Sequence, residues 1–104
     1  MSLAGDFAPV HDAHIRLAIL RLLDASPGYS ANDSVLTDAA RALGLTCTRD
    51  QVRGHLAWLD EQRLLTRLEA IGGLIVATIS ERGGDVAQGR SIVSGVQRPS
   101  PRSG

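Results

Sequence analysis

The sequence predicts a small, mostly α-helical domain that carries one antiparallel β-hairpin. Its 104 residues are enough for one domain but not for two. Aromatic residues make up only 3% of the chain, so the core must be built from aliphatic side chains, which suits packed helices. Gly72 and Gly73 separate two segments that have the period of β-strands, a pattern typical of a tight hairpin turn.

A first helix is predicted from Asp12 to about Asp24, because apolar residues recur there with helical spacing. Its buried stripe consists of Ile15, Ala18, Ile19, Leu22 and Leu23. Leu17 and Leu20 lie beside this stripe, so we expect them to form the interface of a homodimer. Residues 1–10 show no pattern and are expected to form a loose N-terminal arm.

A second helix is predicted to begin near Ser30, after a break at residues 26–28. Ser30 and Asp33 have the spacing of a loose capping box, and Asn32 is a competing cap. The predicted inner face of this helix consists of Val35, Leu36, Ala39, Ala40 and Leu43.

A third helix follows after a short turn. Thr48 and Gln51 form a better capping box, and the helical pattern then continues to about Gln62. The predicted inner face consists of Val52, Leu56 and Leu59.

The chain then changes to the period of β-strands, over residues 64–71 and 74–80. If Ile71 faces Leu74 across the turn, the apolar and polar residues separate onto two faces. The apolar face consists of Leu68, Ile75, Ala77 and Ile79. A short last helix is predicted from Ser80 to about residue 89.

We therefore expect the folded domain to span residues 11–90. Residues 91–104 contain Pro99, Pro101 and several serines and glycines, so they are expected to form an extended C-terminal tail.

The charge of the chain is unevenly distributed, and all eleven basic residues are arginines. Residues 1–85 contain eight arginines and eleven acidic residues, whereas residues 86–104 contain three arginines and no acidic residue. A domain with more acidic than basic residues, followed by a basic tail, differs from a typical non-specific DNA-binding protein, which has a strongly basic face.

The sequence also indicates a compartment. Its single cysteine, Cys47, cannot form an internal disulfide, which suits a reducing environment. The N-terminus does not have the pattern of a signal peptide, and the apolar runs are too short to span a bilayer. We therefore expect a cytoplasmic protein.

The order of the predicted elements is that of a winged helix-turn-helix, in which the third helix reads DNA and the hairpin is the wing. Residues 51–62 (QVRGHLAWLDEQ), followed by LLT at 64–66, resemble the recognition helix and wing of ArsR- and MarR-type regulators. Residues 79–83 (ISERG) resemble the start of the last helix in those families. One departure is Arg63, which stands where they usually have glycine.

The whole chain, including the sequence RPSPR at 98–102, also resembles small ArsR-like winged-helix proteins of Mu-like phages and prophages. This resemblance implies a phage setting.

The predicted function is DNA binding by a phage-type transcriptional regulator. The candidate DNA-binding residues are Arg49, Gln51, Arg53, Gly54, Arg67, Arg98 and Arg102. The alternative is a winged-helix adaptor that binds a protein in phage assembly or DNA packaging. The neutral charge, the hairpin turn without basic residues, and an apolar strip of Ile71, Leu74 and Val76 favour that alternative.

No catalytic motif is recognised, and neither an enzymatic activity nor a cofactor is expected. A metal site is not expected either. His11 and His14 have a spacing of three residues, but the sequence offers no convincing third ligand, and Cys47 stands alone.

Overall fold

The computed structural model describes residues 3–100, with side chains from residue 8 onward. This part of the chain is mostly helical, with four helices and a small antiparallel sheet of three strands. In chain order the elements are α1 (Leu3–Ala25), β1 (Ser30–Asn32), α2 (Asp33–Ala42), α3 (Arg49–Glu61), β2 (Leu65–Ile71), β3 (Leu74–Ile79) and α4 (Glu81–Ala87), with one 3₁₀ turn at Pro27–Tyr29. None of the described helices combines the length and the apolar character that crossing a membrane requires.

The hairpin formed by β2 and β3 has the predicted register. Ile71 pairs with Leu74, and both turn glycines have positive φ angles, +55° at Gly72 and +81° at Gly73, as a two-residue primed turn requires. The predicted apolar face is also confirmed, because all four of its members are buried or packed against the core. A bulge between Leu65 and Arg67 interrupts the pairing at the far end of the hairpin.

The strand β1 replaces the predicted start of the second helix. Residues 30–32 pair antiparallel with β3, which gives the sheet order β1-β3-β2. The helix begins at Asp33, and Asn32 is its cap, because the Asn32 side chain accepts a hydrogen bond from the Val35 amide at 2.9 Å. Because a strand of three residues is stabilised mainly by hydrogen bonds to its partner strand, the sequence of residues 30–32 alone did not predict β1.

The inner face of α2 differs from the prediction. Its buried residues are Asp33, Leu36, Thr37 and Ala40. Val35 and Leu43, which were predicted to lie inside, are 55% and 62% exposed. The reason is that two polar residues take inner positions: Asp33 has charged partners, described below, and the Thr37 hydroxyl donates to the Asp33 carbonyl at 2.6 Å.

The two leucines of the predicted dimer interface have little exposed surface in the monomer, so that interface stays a prediction. Leu17 is 7% exposed and Leu20 is fully buried in the monomer. The cause is that α1 packs against α2, α3, α4 and the sheet, so more than one of its faces belongs to the core. Both leucines join the same hydrophobic cluster as the predicted stripe.

The N-terminal arm is also corrected, because α1 begins at Leu3 and residues 3–10 form its first turns. The helix continues through Pro9. These turns lack an apolar stripe, and for that reason the hydrophobic pattern did not predict them. Further along the helix, the His11 imidazole contacts the Thr46 carbonyl at 2.7 Å, in the turn that precedes α3.

The C-terminal tail is only partly extended. Val93 and Val96 are buried, and the Gln97 amide donates to the Ala13 carbonyl at 3.1 Å. Residues 91–97 therefore form a strap across α1. The sequence did not predict this strap, because its composition is rich in glycine and serine. Residues 101–104 lie outside the described part of the chain.

The junction between α3 and β2 contains a non-glycine residue in the left-handed region. Arg63 has a φ angle of +62°, and the helix ends before it, at Glu61. The Leu64 amide then bonds back to the Leu59 carbonyl at 3.0 Å. The helix therefore does not continue through Arg63, and its left-handed conformation costs about 1 kcal/mol.

Helix α4 approaches the start of the hairpin very closely at Gly83. A β-carbon built on Gly83 would lie 2.1 Å from the Leu64 carbonyl oxygen and 2.6 Å from the Ile79 side chain. At the next position, a β-carbon on Gly84 would meet only the end of the Asp24 side chain, at 3.3 Å. The glycine at position 83 therefore sets the distance between α4 and the sheet.

We predict that Gly83→Ala destabilises the protein by about 3 kcal/mol, because the backbone must move to remove the overlap. Gly84→Ala is the matched control, and it should change stability by less than about 1 kcal/mol because the side chain of Asp24 can rotate. Urea denaturation followed by circular dichroism measures both. Equal effects of the two substitutions would show that the close approach at Gly83 is unimportant.

Candidate nucleic-acid interface

The centre of the candidate site is the carboxylate of Asp33, the first residue of α2. Asp33 is fully buried. Its Oδ2 accepts from the Nε of Arg49 at 2.8 Å and from the Nε of Arg53 at 2.5 Å. Its Oδ1 accepts from the backbone amide of Ile75 at 2.9 Å. One side chain thus joins α2 to both α3 and β3.

The same two arginines reach the turn of the hairpin. Nη2 of Arg49 donates to the Gly73 carbonyl at 3.0 Å, and Nη2 of Arg53 donates to it at 2.8 Å. Because Arg49 and Arg53 are one helical turn apart, their guanidinium groups lie side by side between α3 and the hairpin. The hairpin turn itself contains no basic residue, but these two arginines place positive charge next to it.

The Asp33 carboxyl is held in its charged form. Burial by itself would raise its pKa, but the hydrogen bonds from Arg49, Ile75 and Arg53 outweigh burial and hold the pKa of Asp33 well below its usual range. The contact with Asp33 also raises the pKa of Arg49. The three side chains therefore remain an ion cluster at any physiological pH.

The outward face of α3 is a stripe with acidic residues at its ends and small residues in its middle. Asp50, Gly54, Ala57 and Glu61 are all exposed and recur with helical spacing. Apart from the adjoining residues and backbone of the same helix, nothing lies within 4 Å of where a β-carbon of Gly54 would be. The middle of α3 therefore permits a close approach by another surface, whereas the two acidic residues repel phosphate.

Gln51, one of the candidate DNA-binding residues, has a local partner. Its side-chain oxygen accepts from the Thr48 amide at 2.9 Å, and the Thr48 hydroxyl accepts from the Gln51 amide at 3.1 Å. This is the predicted capping box, and it is confirmed. Because the cap holds the Gln51 side chain at the beginning of α3, contact with a base would compete with the cap.

The remaining candidate residues are not brought to this cluster. Arg67 lies on β2 with an exposed side chain, 3.4 Å from the Glu69 carboxylate. Arg98 is exposed and follows the C-terminal strap. Arg102 lies outside the described residues.

A second cluster, around Trp58 on the other side of α3, was not predicted from the sequence. The guanidinium of Arg16 stacks 4.0 Å from the centre of the Trp58 ring, and it also bonds to Nδ1 of His55 and to the Gly95 carbonyl, both at 3.1 Å. Burial, and then the positive charge of Arg16, lower the pKa of His55. This cluster fastens the C-terminal strap to α1 and α3.

The described residues contain no group of three histidine, cysteine or acidic side chains that could hold a metal ion. Cys47 is buried, and burial raises the pKa of its thiol, although the nearby Arg41 opposes this. The thiol is therefore a packing group of the turn before α3.

The central role of Asp33 was also missed, although the sequence contained a signal for it. Two arginines four residues apart, Arg49 and Arg53, need a shared anion if the helix that bears them packs on its neighbour. Asp33, at the start of the preceding helix, is well placed to supply that anion.

We predict that Asp33→Asn lowers the free energy of unfolding by about 3 kcal/mol, because two partly buried arginines lose their anion. Since the pKa of Asp33 is lower in the folded state than its ordinary value of 3.8, its contribution is present above that value and is lost as the pH falls. The wild type should therefore lose stability in acid more steeply than the variant. Urea denaturation at a series of pH values tests this.

The matched control for that experiment is Asp38→Asn, which removes an exposed carboxylate from the same helix. It should be close to neutral at every pH. If Asp33→Asn is as mild as Asp38→Asn, the ion cluster does not hold the three elements together.

Comparison with known proteins gives a phage relative. Over 89 residues, which are 85% of this chain and 90% of the relative, the chain is 48% identical to a protein of Escherichia phage Mu described as uncharacterized protein gp26. Over 67 residues, which are 64% of this chain and 65% of the relative, it is 45% identical to an uncharacterized protein of Haemophilus influenzae.

The predicted likeness to small phage proteins is therefore confirmed. No protein-family model matches the chain, and no solved structure matches it, so the resemblance to ArsR- and MarR-type regulators stays a prediction. Because the identity to the phage Mu protein extends over most of both chains, this chain belongs to the family of phage Mu gp26.

Proposed function

We propose that this protein is a winged helix-turn-helix protein that binds double-stranded DNA through α3 and the β2–β3 hairpin, as a phage-type transcriptional regulator. The order of its elements supports this fold: two capped helices joined by a short turn are followed by an antiparallel hairpin and a last helix. In this proposal the protein is a binding module without catalytic activity.

The observation that carries the proposal is the arginine pair between α3 and the hairpin. The Arg49 and Arg53 side chains are 43% and 38% exposed, and their contacts to Asp33 and Gly73 use Nε and Nη2. Among the described residues, neither Nη1 group has a hydrogen-bond partner, so both are available to a phosphate. When α3 enters a major groove and the hairpin contacts the flanking backbone, this pair faces the phosphates between them.

The internal ion pairs change what these arginines are expected to do. Because Asp33 fixes both guanidinium groups, they are suited to a phosphate at a constant position rather than to a guanine edge. Close approach of the duplex is permitted by Gly54 and Ala57. Sequence preference is then expected to come mainly from DNA shape.

The acidic ends of the α3 stripe give a direct test. We predict that the double substitution Asp50→Asn, Glu61→Gln strengthens binding to a random duplex about threefold to tenfold, because each removes repulsion from the phosphates. Fluorescence anisotropy over a series of salt concentrations measures this, and affinity should fall with salt.

The control for this test is Glu81→Gln, which removes an exposed carboxylate from α4 and should leave the affinity unchanged. An absence of salt-dependent binding, or an equal gain from Glu81→Gln, contradicts the assignment of α3 as the DNA-binding face.

The arginines of the C-terminal segment have a separate role in the proposal, as contacts to phosphate that do not depend on sequence. We predict that Arg98→Ala, Arg102→Ala weakens binding to every duplex by a similar factor and lowers the dependence of affinity on salt. Substitution is preferable to deletion, because deletion would also remove the buried Val93 and Val96. An unchanged salt dependence would argue against this role.

The predicted homodimer is not a condition of this proposal. Leu17 is 7% exposed and Leu20 is fully buried, so these two side chains offer little surface for pairing in the folded monomer. A monomer that contacts one half-site is sufficient for the experiments above.

A second function is a winged-helix adaptor that binds another protein in phage assembly or DNA packaging. Two observations favour it: the acidic residues at both ends of the α3 stripe, and Ile71, which is 54% exposed beside the hairpin turn. The same anisotropy series separates the two functions, because an adaptor would not show salt-dependent binding of random DNA.

A further inference from the structure

An apolar groove lies between α1 and the turn that joins α2 to α3. Its volume is about 430 Å³. Leu17 and Ala18 form part of its lining, with Leu22 and Leu45 beside them, both half-buried. Leu43, at the end of α2, lies at its edge and is 62% exposed. A large apolar side chain is therefore exposed next to an apolar groove, and exposed apolar surface of this kind often marks a binding site.

The groove is elongated along α1. The residues that α1 contributes extend from His14 to Ala25, and with a rise of 1.5 Å per residue they cover about 16 Å of the helix. A row of this length and spacing matches three turns of a second helix that packs alongside.

The charge at the edge of the groove is of one sign. The charged or titratable residues that line it are Arg21 and His14, and none of its lining residues is acidic. Arg21 is exposed and forms no ion pair with the described residues. If a second copy of this chain occupied the groove, its Arg21 would lie near the first Arg21. Neither groove has an acidic residue that could neutralise these two charges.

We propose that this groove binds an amphipathic helix of a partner protein, whose apolar residues pack on Leu22 and Leu43 and whose carboxylate pairs with Arg21. The lining includes no residue of α3 or of the hairpin. The groove can therefore be occupied while α3 contacts DNA, and this inference does not rest on the proposed DNA binding.

The test uses two synthetic helical peptides of about 14 residues, long enough to cover the row along α1. Both carry leucines at positions i, i+3 and i+7. One peptide has glutamates beside the leucines, and its twin has lysines at the same positions. Binding of each labelled peptide to the full chain is followed by fluorescence anisotropy.

The glutamate peptide should bind about threefold to fivefold more tightly than its lysine twin, as expected for one exposed ion pair. The substitution Arg21→Glu should reverse this preference. Leu43→Ser should weaken both peptides, and Val35→Ser, which alters an equally exposed apolar residue of α2 outside the groove, should weaken neither. Circular dichroism confirms that each variant is folded.

Three results would overturn the proposal. The first is that neither peptide binds. The second is that Arg21→Glu leaves the preference between the peptides unchanged. The third is that the wild type sediments as a dimer that Leu43→Glu converts to a monomer, which would assign the groove to a second copy of the chain.

Discussion

The rest of the structure depends on one buried carboxylate. Asp33 begins α2, faces two arginines of α3 and accepts a backbone hydrogen bond from β3. A buried ion cluster of this kind adds little net stability compared with apolar packing, but its geometry is strict, because each unsatisfied charge would be costly. Its main effect is to fix the angle between α3 and the hairpin, the two elements of the proposed DNA interface.

The sequence was a good guide wherever structure is local. The capping box of Thr48 and Gln51 and the register of Ile71 with Leu74 follow from short-range chemistry, and both are confirmed. It was a poor guide where structure depends on distant partners: β1 exists only because β3 pairs with it. Likewise Leu20 is buried because α1 is surrounded by other elements, which no single stripe of residues reveals.

In the candidate site too, the sequence predicted local features but not contacts between distant residues. The sequence identified Arg49 and Arg53, but it assigned them to DNA alone, whereas each is already bound to Asp33. The spacing of the two arginines indicated that they share an anion, but it did not identify Asp33, which lies 20 positions from Arg53. The proposed interface combines a local motif, the arginine pair of α3, with a buried anion, Asp33. The α1 groove has a different origin, because it is formed only when α1 packs beside the end of α2.

The C-terminal strap has a consequence for how the chain is made. Arg16 and Gly95, which bond to each other, are 79 positions apart, so this contact cannot form until Gly95 has left the ribosome. Closing so long a loop is entropically unfavourable, and such contacts form late in folding. Until then the Trp58 ring lacks its contact with Gly95, and the nascent domain exposes more aromatic surface than the folded protein does.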